Sequence, residues 1–178
     1  PCADDSYDRL SKVGDVLQWV RVDGRYDPVW DVMILTATNK VRKLFNGQLQ
    51  TWLNAQPDGV PQENPAFRVG DKIICLKNSK ASLVDFVGAS ERTRADMKFW
   101  RGGIGQTYLA NGDIGRVLAV KRNGAVVHFF APDRVVAIVT AKPRKGEDGD
   151  DYLPGDFDLA YAMTVHKAQG SQSPVVVV

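Results

Sequence analysis

The spacing of apolar residues changes twice along this chain of 178 residues, and each change limits the possible folds. Residues 7–22 carry apolar side chains three and four positions apart, which predicts an amphipathic helix. The apolar run 32–35 predicts a strand buried on both faces, and helical spacing returns over 41–53. A helix, a strand and a second helix in succession are typical of an α/β architecture.

A β-type pattern replaces the helical spacing in the middle of the chain. The pair Asn123-Gly124 lies between two apolar runs, and it favours a type I′ hairpin turn because both residues tolerate positive φ. Four or five short strands within about 75 residues predict a small all-β barrel of the SH3-like or OB-like kind. The runs lie at 67–77, 115–120, 125–130 and 135–139.

Composition indicates where these parts meet. A Pro-, Gly- and Asn-rich connector precedes the β region, and a polar, acidic linker follows it. The chain starts without Met and stops inside an apolar run at Val178, so we expect it to be part of a longer protein. The predicted organisation is α/β over 1–64, barrel over 65–141, linker over 142–158, and resumed α/β over 159–178.

The charge balance excludes two classes of protein. Lys and Arg total 23, Asp and Glu total 21, and the net charge is +2, which excludes a histone-like tail and a polyacidic chain. A local basic face for nucleic acid stays compatible with this total. No apolar run is long enough for a membrane span, and Pro1–Asp5 lacks the features of a signal peptide. We expect free thiols at Cys2 and Cys75, and a cytoplasmic location.

Several motifs that carry chemistry are missing. There is no Gly-Lys pair, so the chain has no P-loop, and a dinucleotide fingerprint starting at Gly103 fails at Tyr108. The two histidines and two cysteines lie too far apart for a metal site. The acidic residues 147–151 lack a calcium-loop pattern and indicate a solvated linker. We therefore expect neither a catalytic residue nor a metal site in this chain.

The segment 164–171 combines a hydroxyl, an imidazole, an ammonium group and an amide directly after an apolar strand. Open α/β sheets bind ligands at the carboxyl ends of their strands, and short donors beside Lys167 suit phosphate oxygens of a nucleotide or a nucleic acid. The alternative is a polar loop with an ordinary surface lysine.

The sequence of residues 159–172, LAYAMTVHKAQGSQ, resembles motif V of RecD-like superfamily-one DNA helicases (exodeoxyribonuclease V alpha subunit-like), whose usual form is close to TVHKSQGSE. Residues 32–54 resemble the motif IV strand and the helix that follows it. FRVGD at 67–71 and NGDIGRV at 111–117 resemble strands of the small β insert of that family. The resemblance covers about residues 30–178.

This resemblance implies the second motor domain of an ATP-dependent DNA helicase. The implied fold is a partial RecA-like domain of the P-loop NTPase type (2A), interrupted by an SH3-like barrel (2B). The intact parent would be a hydrolase that uses ATP and Mg²⁺ in DNA repair or recombination, whereas this chain alone would bind neither and would hydrolyse no ATP. The implied partners are single-stranded DNA, a missing N-terminal motor domain and nuclease or repair subunits, with no membrane.

The resemblance also assigns site residues. Motifs IV and V match DNA-contacting positions at Thr36, Thr38, Asn39, Thr164, His166 and Lys167. Nucleotide-contacting positions match Arg42, Gln169, Gly170, Ser171 and Gln172. Gln172 replaces the usual Glu, so a ribose contact would be a neutral hydrogen bond. For Arg42 the alternative is a surface charge on an exposed helix face.

Two further interpretations concern aromatic and basic residues. In the barrel region they could guide DNA by stacking and phosphate neutralisation, or simply surround a small core. These residues are Lys98, Trp100, Arg101 and Tyr108. Trp19, Trp30 and Trp52 are expected to pack inside. The alternative function is a free-standing β-barrel module that binds nucleic acid or protein without motor activity.

Overall fold

The computed structural model describes residues 3–57, 63–64, 66–84, 105–139, 156–169 and 172–178. The chain divides into two units, one made of Pro1–Ala55 and Ala160–Val178 and the other of Gln56–Leu159. Numbered along the chain, the elements are α1 (Ala3–Asp23), β1 (Val32–Thr36), α2 (Asn39–Leu53), β2 (Lys72–Cys75), β3 (Ser79–Leu83), β4 (Gly105–Leu109), β5 (Ile114–Lys121), β6 (Gly124–Phe130), β7 (Asp133–Val139), β8 (Phe157–Leu159), β9 (Ala162–Thr164), α3 (Val165–Ala168) and β10 (Val175–Val177).

The first unit has an α/β fold built on a parallel three-stranded sheet in the order β10-β1-β9. Val32 of β1 lies opposite Val175 of β10, and Thr36 lies opposite Thr164 of β9. The predicted buried strand is confirmed, because Val32 and the two residues after it are buried. The chain leaves β9, passes through α3 and returns as β10 on the other side of β1.

Both predicted helices of this unit are confirmed. α1 buries its apolar stripe at Leu10, Val13, Leu17 and Val20. α2 starts where the side chain of Thr38 accepts a hydrogen bond from the Val41 backbone N–H at 3.3 Å, which satisfies a donor that the first helical turn leaves open.

Not every tryptophan of the first unit is internal. Trp19 is 55% exposed and Trp52 is 44% exposed, so the expectation of buried packing is wrong for both. Trp30 is half-buried. The ring of Trp52 instead lies over Gly14 of α1, where a Cβ atom would come within 3.3 Å of it.

The second unit is a seven-stranded antiparallel sheet in the order β4-β3-β7-β6-β5-β2-β8. Its core contains Phe67, Ile73, Leu109, Val127 and Phe129. The edge strands β4 and β8 do not pair with each other in the part of the chain that is described, so the closed SH3-like barrel expected for 65–141 is not observed.

Two matching turns fix β2 against β5. In each turn a Gly of positive φ precedes an Asp whose carboxylate accepts from the backbone N–H three residues earlier. The first uses Gly70 (φ 92°) and Asp71, with 2.7 Å from the Arg68 N–H to the carboxylate. The second uses Gly112 (φ 99°) and Asp113, with 2.8 Å from the Ala110 N–H to the carboxylate.

The backbone hydrogen bonds that join the two turns to the opposite strands are also equivalent. The Gly70 N–H donates to Val117 and the Gly112 N–H donates to Cys75, each at 2.8 Å. Returning bonds run from Val117 N–H to Asp71 and from Cys75 N–H to Asp113, at 2.9 and 2.8 Å. A local two-fold relation through the paired residues Ile73 and Gly115 therefore connects the two turns.

Three details differ from the sequence predictions. Residues 67–70 form a turn instead of the start of a strand, because the left-handed backbone at Gly70 interrupts extended pairing. The β5–β6 hairpin is confirmed, but Lys121 pairs with Gly124, so its two turn residues are Arg122 and Asn123. Phe157 and Asp158, assigned to the linker, pair with β2 as part of β8.

Several predicted features lie outside the described residues, namely 142–155 of the linker and the residues Lys98, Trp100 and Arg101. Tyr108 is described, and it lies on the edge strand β4 with 56% of its surface exposed. Among the described helices, none combines the length and apolar character that spanning a bilayer demands.

The connector before the sheet contains a buried anchor that the sequence did not indicate. The Asn64 side chain accepts from the N–H groups of Ala66 and Phe67, at 2.9 and 3.1 Å. Its Nδ2 donates to the carbonyl oxygens of Lys121 and Gly124, at 2.7 and 3.2 Å. Asn64 thereby ties the connector to both ends of the β5–β6 hairpin turn.

Candidate functional site

The strands β1 and β9 end side by side, because Thr36 lies opposite Thr164 in a parallel pair. Neighbouring strands are about 4.8 Å apart. The segments that follow, 36–39 and 164–169, therefore leave the sheet at the same place. We call these two segments the carboxyl edge.

The position of β9 depends on one side chain of α2. Asn46 is buried, and its Oδ1 accepts from the Ala162 N–H at 2.7 Å while its Nδ2 donates to the Ala162 carbonyl at 3.1 Å. These are the two bonds that a further strand would make to the outer side of β9. Asn46 thus replaces a neighbouring strand and holds β9 where Thr164 can meet Thr36.

The two threonines of the first segment have different roles in the structure. Thr36 is buried, and its hydroxyl donates to the Met163 carbonyl at 3.3 Å, which ties β1 to β9. Thr38 is exposed and caps α2 through its oxygen. A hydroxyl that accepts one bond retains its own proton as a donor, so Thr38 can still donate to a ligand.

Asn39 and Arg42 form a pair in the first turn of α2. Arg42 is 4% exposed, so the alternative interpretation of this residue as a surface charge on an exposed helix face is wrong. Its Nε donates to the Asn39 Oδ1 at 3.2 Å. Asn39 is exposed at the carboxyl edge.

The second segment presents polar groups around α3. Thr164 occupies the N-cap position of this short helix, but its side chain makes no capping bond. His166 and Gln169 are exposed and Lys167 is half-buried. Thr164, His166 and Gln169 line an open cleft of about 700 Å³ whose floor includes Leu35 of β1.

Two cations of α1, which no motif in the sequence marked as site residues, also lie near the carboxyl edge. Arg9 and Lys12 line a second cavity, of about 390 Å³, together with Thr36 and Ala37 of the carboxyl edge. Lys12 also forms an ion pair with Asp8, with 2.7 Å between the ammonium and carboxylate groups. The sequence places these two cations three positions apart, beside the apolar stripe of the helix. The same spacing is typical of an ordinary solvated helix face, so it did not indicate a site.

One of the candidates for nucleotide contact, Gln172, lies away from the carboxyl edge. The Ser173 hydroxyl donates to the Asp31 carbonyl at 2.6 Å, and Val175 pairs with the first residue of β1. Gln172 therefore lies toward the amino end of β1, and this strand spans about 13 Å from Val32 to Thr36. Gln169 follows α3 near the other end.

Gly170 and Ser171 lie outside the described residues, and the buried Arg42 guanidinium faces Asn39. Within the part of the chain that is described, no group of three or more His, Cys, Asp or Glu side chains could hold a metal ion.

Comparisons with known proteins give structural similarity only. No known protein family and no curated protein matches the chain. The crystal structure of Pif1 helicase from Bacteroides with ADP-AlF3 and ssDNA matches at 16% identity and TM-score 0.43, covering 98% of this chain and 39% of that chain. Unliganded Pif1 from Bacteroides sp matches at 16% identity and TM-score 0.41, covering 83% and 46%. The chain thus spans less than half of the length of these helicase chains. Because both TM-scores are below 0.5, the interpretation of the site rests on the residues of this chain and not on the similarity.

Proposed function

We propose that this chain is the second motor domain of an ATP-dependent DNA helicase, and that its carboxyl edge contacts single-stranded DNA. In this proposal the parent is RecD-like, the first unit belongs to its second motor domain, and the second unit is the SH3-like insert of that domain. ATP, Mg²⁺, the first motor domain, nuclease or repair subunits and a cytoplasmic location belong to the intact parent. The chain alone would hydrolyse no ATP.

The observation that carries the proposal is the position of the segment LAYAMTVHKAQGSQ, which resembles motif V. Its polar part starts at Thr164, beside the end of β1, where the segment that resembles motif IV also leaves the sheet. Two stretches far apart in sequence therefore meet at one edge.

The chemistry of that edge suits phosphate. The segments 36–39 and 164–169 contain no Asp or Glu. They carry hydroxyl, amide, imidazole and ammonium donors, and phosphate oxygens accept hydrogen bonds from such groups. Contacts of this kind position a nucleic-acid backbone without reading its sequence, as a translocating motor requires.

Binding of a fluorescein-labelled oligothymidylate to the 178-residue chain, followed by fluorescence anisotropy, tests the proposal. We expect the double variant His166→Ala, Lys167→Ala to bind about tenfold more weakly at low salt. The association constant should also depend less on salt, with the magnitude of the slope of log K against log salt reduced by about 0.7 to 1.4. Arg122→Ala, on the exposed β5–β6 turn, is the charge control and should change binding far less.

The same assay separates the motor domain from the alternative module. If Lys80→Ala and Tyr108→Ala in the second unit abolish binding while the carboxyl-edge variants do not, the sheet is the binding element and the proposal is wrong. In the intact parent, wild-type unwinding by the His166 and Lys167 variants would also contradict it.

A further inference from the structure

We infer that Arg42 is a positioning residue for nucleic-acid contact, which holds the Asn39 amide so that the amide NH₂ faces the bound strand. The inference rests on the proposed function, because it concerns how the carboxyl edge presents its donors. It gives the buried Arg42 side chain a role that differs from direct contact with a nucleotide.

The burial of Arg42 requires a specific partner. Arginine is rarely buried, and a buried charge is costly unless it is paired or hydrogen-bonded. Arg42 is 4% exposed, and its Nε donates to the Asn39 Oδ1 at 3.2 Å. The two residues are three positions apart, which places them on neighbouring turns of the same helix face.

This bond fixes which way the Asn39 amide points. A guanidinium group can donate hydrogen bonds but cannot accept them, so only the amide oxygen can face Arg42. The Nδ2 group therefore points away from Arg42, on an exposed residue. Within the described residues no protein group accepts from it, so both N–H bonds are available to a ligand.

The orientation matters because phosphate is an acceptor. An amide turned by 180° would present its oxygen to a phosphate oxygen and repel it, whereas the observed orientation presents two donors. The neighbouring Thr38 also keeps a hydroxyl proton to donate. Arg42 therefore contributes to binding without touching the ligand, because it prevents the amide from turning.

A double-mutant cycle on binding of a labelled oligothymidylate tests this coupling. We expect Asn39→Ala and Arg42→Ala each to weaken binding about five- to tenfold, and the double variant to be no weaker than either one. A simple loss of positive charge would still weaken binding in the Asn39→Ala background. Additive losses, or an Arg42→Ala variant that binds normally, would overturn the inference.

A second variant leaves Arg42 unchanged, which protects the test against misfolding. In Asn39→Asp, a carboxylate oxygen can still accept from Arg42, but the outward group becomes an acceptor instead of a donor. We expect it to bind more weakly than Asn39→Ala. Gln48→Glu, an exposed position on the same helix, adds the same charge and is the matched control.

The outcomes separate the two proposals. If Asn39→Asp binds as well as the wild type, or no worse than Gln48→Glu, the positioning role of Arg42 is wrong while the proposed function stands. If the wild-type chain does not bind oligothymidylate at all, the proposed function fails and the inference fails with it.

Discussion

Replacing Asn46 by Ala should lower the free energy of unfolding of the first unit much more than any substitution at an exposed position of α2. The variant leaves the Ala162 N–H and carbonyl without their partners at 2.7 and 3.1 Å. Ala162 is 0% exposed, so water cannot take over these bonds without local opening. Each buried group left unsatisfied costs about 1–3 kcal/mol, and the lost amide adds a small cavity.

The expected loss is therefore about 3–5 kcal/mol of the free energy of unfolding, which is a large part of the usual stability of a domain. Asn46→Asp should be at least as damaging, because its carboxylate would face the Ala162 carbonyl oxygen. Gln48→Ala, an exposed change two positions along the same helix, should stay within about 0.5 kcal/mol of the wild type.

Urea denaturation followed by tryptophan fluorescence measures this effect in the correct part of the chain. Three of the four tryptophans, Trp19, Trp30 and Trp52, belong to the first unit. Far-UV circular dichroism follows both units, so a selective loss should separate the two signals. An Asn46→Ala midpoint equal to that of Gln48→Ala would refute the role of Asn46 as a substitute for a strand.

Further predictions concern the second unit and one glycine of α2. Gly115→Ala should destabilise the sheet by about 1–3 kcal/mol in urea denaturation, because its Cβ would lie 2.8 Å from the His128 carbonyl oxygen. Gly47→Ala in α2 should instead stabilise the first unit by about 0.5–1 kcal/mol, because no atom lies within 4 Å of the added Cβ. Asn64→Ala should lower the urea midpoint of the second unit by an amount equivalent to about 3 kcal/mol or more, since its four hydrogen bonds are lost together. Burial raises the pKa of the Cys75 thiol, so the folded chain holds this proton more tightly than the unfolded chain, and stability should fall as the pH rises above about 8.5. Cys75→Ala should remove that part of the decline, seen by comparing urea midpoints at about pH 7 and about pH 10; an equal decline in the variant would contradict the assignment.

Local sequence signals predicted the elements whose causes are local. The run at 32–35 became β1, and the hydroxyl of Thr38 capped the helix that was expected to follow. The adjacent residues Asn123 and Gly124 predicted the hairpin. Its two turn residues are Arg122 and Asn123, because Gly124 already pairs with Lys121.

Features that depend on distant partners could not be predicted. Asn46 looked like any polar helix residue, since its partner Ala162 lies 116 positions away. Asn64 looked like part of a polar connector, because its carbonyl partners belong to a hairpin 57 and 60 positions further on. The sequence also gave no reason to expect Arg42 to be buried against Asn39.

The candidate site was only partly predictable for the same reason. Motif resemblance identified both segments of the carboxyl edge, and the register of Thr36 with Thr164 brings them together. The resemblance could not show that Gln172 lies toward the opposite end of β1, because that depends on how α3 returns the chain to β10.

The paired turns around β2 and β5 have a consequence for errors in folding. A slip of one residue between β2 and β5 would turn every side chain of the slipped strand to the opposite face of the sheet. A slip of one residue would separate Gly70 from Val117 and Gly112 from Cys75 at the same moment. A misaligned pairing therefore loses hydrogen bonds at both ends of the ladder, so both turns stabilise the same register of β2 against β5.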